Sequence, residues 1–190
     1  MTSLARPRPA EAESDPRSRI HVLQGHYAVS ANPAVMLTTV LGSCVSACIR
    51  DAAARVGGMN HFLLPDRDGR GEADALRYGV HSMELLLNAL LQAGARRTAL
   101  EAKLFGGGQL AERLGPIGKI NADFAEAFLR REGIAYLGGS LGGSCARKLQ
   151  FWPVSGRVRQ MALTRGLEGL VALEQRSHQL PAYGGAVELF

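Results

Sequence analysis

Aromatic residues are scarce in this chain, with one Trp, four Tyr and six Phe among 190 residues. No basic stripe is interleaved with rings on which bases could stack, which argues against nucleic acid as a partner. Neither sign of charge dominates. The net +5 is spread over the N-terminal stretch, Arg96-Arg97, Arg130-Arg131, Arg147-Lys148 and Arg157/Arg159, and it reads as a solvated surface. Cysteine is also sparse. Cys44, Cys48 and Cys145 are odd in number and match no zinc-ligand spacing, so neither a disulfide scaffold nor a metal site is expected. A reducing cytoplasm is the expected setting. Long apolar runs are missing too: residues 85–91 form the longest and are broken by Asn88, far too short to enter a bilayer as a span. Residues 1–19 have no apolar core of the kind a secretory signal needs.

Phosphate- and dinucleotide-binding loops are absent as well. Gly106-Gly107-Gly108-Gln109 is no dinucleotide fingerprint, and Gly115-Pro116-Ile117-Gly118-Lys119-Ile120 lacks the Ser or Thr a phosphate loop carries after Lys. Both read as tight turns. No cofactor is expected.

The patterning is that of one α/β domain. Residues 1–19, rich in Pro, Arg, Ala, Ser and Glu, read as a disordered arm. Residues 20–23, 27–29, 35–40, 45–50 and 56–64 read as strands, the last stopped by Pro65. Residues 65–74 are polar and Gly-rich, a surface loop suited to a flap. Tyr78, Met83, Leu86, Leu87, Leu90 and Leu91 recur at helical spacing, predicting a helix over 76–93 that Gly94 ends. A strand at 100–105 and a loop at 115–118 follow. A second helix is expected over 122–132, with Asn121 as its cap. A strand at 134–137 leads to a glycine turn, and a hairpin pairs 147–152 with 157–163. Residues 166–190 read as a tail. The expected architecture is a single-domain α/β sandwich with a mixed β-sheet and two main helices.

Cys44 and His61 carry the chemistry. Cys44 follows Leu41-Gly42-Ser43, where the chain can turn sharply and the Gly42 and Ser43 amides could support an oxyanion. His61 lies on the next apolar segment, in Gly57-Gly58-Met59-Asn60-His61. A thiol attacks well as thiolate, and an adjacent imidazole is the usual means of making one at neutral pH. A third group should orient the ring; the Thr38 hydroxyl is one candidate. Cys48, flanked by Ala47 and Ile49, reads as core. The competing reading makes Cys44 a small buried hydrophobe and His61 a satisfied core histidine.

Here the residues become recognisable. Leu41-Gly42-Ser43-Cys44-Val45, Gly57-Gly58-Met59-Asn60-His61-Phe62-Leu63-Leu64-Pro65, Lys103-Leu104-Phe105-Gly106-Gly107 and Gly142-Gly143-x-x-x-Arg147 resemble the chemoreceptor glutamine deamidase family, CheD, over about residues 20–165. The family usually has Arg-Asn where this chain has Ile120-Asn121. The resemblance implies a catalytic cysteine, histidine and threonine, falling on Cys44, His61 and Thr38, and a fold similar to toxin-type deamidases. It implies a chemoreceptor cytoplasmic domain as protein substrate. Its glutamines would become glutamates through a thioester, and glutamyl methyl esters could be hydrolysed by the same chemistry. It also implies docking to a CheC-type phosphatase. A non-catalytic regulatory module binding that phosphatase or the receptor is the alternative of another class, and a thiol hydrolase of small amides is a third.

Overall fold

The computed structural model describes residues 18–64, 72–110 and 116–163. Nine strands and two α-helices run in the order β1 (Ser18–His21), β2 (Tyr27–Ser30), β3 (Val35–Leu41), β4 (Val45–Asp51), β5 (Val56–Asn60), α1 (Glu72–Gln92), β6 (Leu100–Gly106), α2 (Ile117–Arg131), β7 (Ala135–Leu141), β8 (Ala146–Trp152) and β9 (Arg157–Leu163) among these residues. The strands form two sheets, ordered β1-β3-β8-β9 and β2-β5-β4-β6-β7. Each is mixed: β1 runs parallel to β3, and β6 parallel to β7, while the other pairs are antiparallel. The expected α/β architecture with two main helices is what the chain adopts, with its strands shared between two sheets.

Strand β4 shows how the layers arise. Successive side chains of a strand point to opposite faces. Val45, Ala47 and Ile49 pack with Met83, Leu86, Leu87 and Leu90 of α1 and with Ala125, Phe128 and Leu129 of α2. Cys44 and Cys48 face the other way, into a second core with Leu37 and Leu41 of β3, Leu149 and Phe151 of β8, and Met59. The order of layers is therefore helices, five-stranded sheet, four-stranded sheet. Leu86 and Leu90 are fully buried, each worth about 1.5–3 kcal/mol; Met83, Leu86, Leu87 and Leu90 of the expected face form this core, whereas Tyr78 is exposed and Leu91 half-buried.

Several boundaries differ from expectation. Strand β1 takes in Ser18 and Arg19, which the composition assigned to the arm. The remainder of the arm, the tail and residues 65–71 of the expected flap lie outside the described residues, and α1 begins at Glu72, within the stretch read as loop. Helix α2 begins at Ile117 with Pro116 at its N-cap, so Asn121 lies inside the helix and caps nothing. Proline is well tolerated at a helix start, so the helix begins ahead of the residue read as its cap. The run at 138–141 continues β7, with a register irregularity against β6 between Ala102 and Leu104.

Candidate active site

The β4–β5 pairing brings the cysteine and the histidine to one face of the sheet. Cys48 lies opposite Met59, and the same register continues to an isolated bridge between Val45 and Phe62. That bridge exchanges both backbone bonds, Val45 N to Phe62 O and Phe62 N to Val45 O, each at 2.9 Å. Cys44 and His61 are thus diagonal neighbours on one face, roughly 7 Å apart along such a ladder and within reach of a ring. Both are buried.

The strand that carries His61 is fixed by its neighbour. Asn60 is fully buried. Its Oδ1 accepts from Ala47 N at 2.9 Å, and its Nδ2 donates to Ser82 O at 3.4 Å. Ser46 Oγ donates to Asn60 O at 2.6 Å. Asn60 therefore joins β4, β5 and α1, and alternation then turns His61 toward the four-stranded sheet.

There the ring meets Thr39. His61 Nδ1 lies 2.8 Å from Thr39 Oγ1 and 3.4 Å from Val22 O. A carbonyl oxygen only accepts, so Nδ1 must carry the hydrogen. Thr39 gives the same answer independently: its one hydroxyl hydrogen goes to Val22 O at 2.8 Å, leaving Oγ1 to accept from Nδ1–H. The tautomer is fixed, and Nε2 keeps its lone pair. That Nε2 is buried and has no hydrogen-bond partner among the described residues. Burial holds the imidazole's pKa down at about 4, with the Val22 contact opposing weakly, so the ring is neutral at pH 7 and able to accept a proton.

Thr38 does not reach the ring. It lies on the other face of β3, and its Oγ1 donates to Leu149 O at 2.7 Å. The reason is the pleat: neighbours along a strand face opposite ways, and His61 approaches from the Thr39 side. The ring contact expected of Thr38 is made in this geometry by Thr39. Thr39→Val should lower kcat by about a hundredfold, the range of a lost positioning contact, while Thr38→Val should cost about 1 kcal/mol of stability and leave kcat nearly unchanged. Steady-state kinetics and urea unfolding of the two variants separate these outcomes.

The loop before Cys44 is held by its carbonyls. Gly108 N donates to Gly42 O at 2.8 Å, and Gly107 N to Cys44 O at 2.7 Å. Asn121 Nδ2 donates to Ser43 O at 3.3 Å and to Ile117 O at 2.9 Å. Its Oδ1 accepts from Leu64 N at 2.7 Å. In a trans peptide the N–H points opposite to the C=O it follows. Fixing the Gly42 and Ser43 carbonyls toward Gly108 and α2 thus turns the Ser43 and Cys44 amides the other way.

The glycines read as tight turns are the other half of this cradle. Gly106 has φ +108, and a Cβ there would stand 2.1 Å from Cys44 O. Gly118 lets α2 approach so closely that a Cβ would fall 2.3 Å from Gly108 O. Ile120, where the family usually has Arg, is half-buried against the helix-side core, and Asn121 beside it keeps all its contacts.

The other cysteines are placed differently. Cys48 is buried, and desolvation pushes its thiol well above the usual range, so it is inert as a nucleophile. Cys145 is exposed. Among the described residues no three His, Cys, Asp or Glu gather as metal ligands, and no helix is long and apolar enough to cross a membrane.

His61 also sets a stability window. The unfolded chain binds this proton at the ordinary value near 6.5, the folded chain only at about 4. Stability is then full above pH 6.5 and declines as pH falls toward 4, by at most about 3 kcal/mol. His61→Gln should flatten that decline in urea-melt midpoints taken against pH. Asp51, held low chiefly by its bond from Arg96, affects only the more acid range.

A buried thiol on a carbonyl-pinned loop, on the same sheet face as a neutral imidazole of fixed tautomer, supplies the residue types a cysteine-dependent amide hydrolase uses. The chain belongs to the CheD family: the family model described as CheD chemotactic sensory transduction matches residues 63–162. A protein of Caulobacter sp. (strain K31) is 57% identical over 149 residues, covering 78% of this chain and 79% of its own. One of Acidiphilium cryptum (strain JF-5) is 51% identical over 186 residues, covering 95% and 98%. One of Rhizobium leguminosarum bv. trifolii (strain WSM2304) is 55% identical over 161 residues, covering 83% and 88%. Each of the three is named a probable chemoreceptor glutamine deamidase CheD.

Proposed function

We propose that this chain is a protein-glutamine deamidase that converts glutamines of a chemoreceptor's cytoplasmic domain to glutamate in chemotaxis adaptation. The family and the relatives' names support the reaction. The observation that carries the residue assignment is the tautomer of His61, fixed by Thr39 and Val22 with Nε2 left bare.

In the proposed cycle His61 Nε2 takes the Cys44 proton. The thiolate attacks the γ-carboxamide carbon, and the Ser43 and Cys44 amides hold the oxyanion. The C–N bond breaks as His61, now protonated, gives its proton to the departing ammonia. His61 then takes a proton from water, which attacks the thioester and releases glutamate. Thr39 keeps Nδ1–H in place throughout. The imidazolium, unfavourable in a buried site, forms only while the thiolate or oxyanion is beside it to offset its charge.

The test is ammonia release from a receptor cytoplasmic fragment, measured alongside acid formation at its glutamines. Stoichiometric ammonia and glutamate support the reading. Neither product from a receptor of the same cell would move it to a binding module. Methanol release from a methylated fragment tests the ester hydrolysis that the same thioester chemistry allows. The proposal keeps the cytoplasm as the site of action. It also keeps a CheC-type phosphatase as a second partner on the family resemblance alone, and co-purification is its check.

A further inference from the structure

Gln24 stands beside the thiol, and the cycle above does not use it. Its backbone sits in an exposed turn, yet Cys44 Sγ donates to its Oε1 at 3.5 Å. The turn that carries it is tied to the site repeatedly. Val22 N donates to Thr38 O at 2.9 Å, and Gly25 N to His61 O at 2.7 Å. His61 N donates to His26 O at 3.0 Å, and His26 N closes the turn on Leu23 O at 3.0 Å. Val22 O is the acceptor that fixes both Thr39 and His61. The residues that orient the base therefore also set where Gln24 stands.

Tyr78 of α1 backs the same turn. A Cβ on Gly25 would lie 3.3 Å from Tyr78 Oη. Burial, and then the nearby charge of an ionised Cys44, keep this phenol protonated above its usual range.

We propose that Gln24 is the side-chain half of the oxyanion site, its carboxamide N–H donating to the substrate oxygen opposite the backbone amides of Ser43 and Cys44. This rests on the deamidase reading. In the resting thiol, S–H donates to Oε1. Once His61 holds the proton, sulfur has no hydrogen to give, and a carbonyl oxygen facing an anion is repelled. The amide turns about its last torsion, a soft two-fold one, and presents Nε2–H. The thiolate then forms the C–S bond, and the pair of the C=O π bond moves onto oxygen. Gln24 and the backbone amides stabilise that charge; no proton moves to or from Gln24. Collapse restores the C=O bond and expels ammonia.

The test uses the full chain with Gln24→Ala and Gln24→Glu, acting on the receptor fragment. One oxyanion donor is worth about 10²–10³ in kcat, so Gln24→Ala should lose about a hundredfold in kcat with KM nearly unchanged. Gln24→Glu should lose at least as much, because a carboxylate has no N–H and repels the oxyanion. Alkylation of Cys44 by iodoacetamide, followed against pH, should shift its midpoint upward in Gln24→Ala and further in Gln24→Glu. A kcat for Gln24→Ala within about threefold of wild type overturns the proposal. So does a fully active Gln24→Glu, which would mean that only shape matters. An amide-to-acid mass gain on Gln24 itself, absent in Cys44→Ala, overturns it as well and makes Gln24 an internal substrate. If wild type leaves the receptor unchanged, the deamidase reading fails instead. An unmoved alkylation midpoint then overturns the Gln24 assignment separately.

Discussion

Cys44→Ala should abolish turnover, by on the order of 10⁴-fold or more, the size of effect seen when a nucleophile is removed from a coupled set. His61→Ala should cost a comparable factor, and the double variant little beyond either alone. The non-additivity follows from the mechanism. The imidazole acts only by taking the thiol's proton, and the thiol is a weak nucleophile until that proton leaves. Neither variant should unfold the chain. Cys44 is small and buried among Leu37, Leu41 and Met59, and losing its sulfur costs about 1 kcal/mol. Circular dichroism and urea midpoints near wild type, with turnover gone, are the expected pair of results. Loss of turnover accompanied by loss of fold would leave Cys44 no more than a core residue.

Gly106→Ala should be nearly as damaging to activity, although no atom of Gly106 enters the chemistry. Two independent constraints meet there. Its φ of +108 lies where side chains are strained, at about 1–3 kcal/mol. The added methyl would also stand 2.1 Å from Cys44 O, and its nearest neighbours are all backbone of Cys44 and Val45, which leaves no flexible side chain to displace. The contact is relieved only by moving the Cys44 loop. Since Gly107 N holds Cys44 O and Gly108 N holds Gly42 O, that movement tilts the Ser43 and Cys44 amides away from the proposed oxyanion position. A misplacement on the order of 1 Å costs about a hundredfold in rate. Gly106→Ala should therefore lose both stability, by about 2 kcal/mol or more, and kcat, by about a hundredfold. Differential scanning calorimetry and kinetics under conditions where the variant remains folded separate the two losses. Gly133, whose added Cβ would meet nothing within 4 Å, is the control: Gly133→Ala should leave kcat unchanged.

What was legible in the sequence and what was not divide along a physical line. The Cys44 loop and His61 stood out because their neighbours are unusual in themselves: a Gly-Ser before a cysteine, and an Asn-His inside an apolar strand. The α1 face was legible because one side of that helix meets solvent and the other meets core. Strand β3 gave no such contrast. Met36, Leu37, Thr38 and Thr39 are all buried, so alternation cannot say which threonine faces the histidine, and the resemblance supplied Thr38 where the geometry offers Thr39. Asn121 looked like a cap because caps are local signals. Two of its three partners, Ser43 and Leu64, are distant in sequence. The same holds for Gly106 and Gly118, where local reading sees a turn and the fold uses the missing side chain to bring another segment close. Gln24, in a Gln-Gly turn, gave no signal of the thiol above which it stands.

The most direct test is peptide mass spectrometry of a receptor cytoplasmic fragment incubated with this protein, with Cys44→Ala alongside. The expected result is an amide-to-acid mass gain at defined glutamines with the wild-type chain, and none with the variant. The same gain from Cys44→Ala would contradict a cysteine-dependent deamidase.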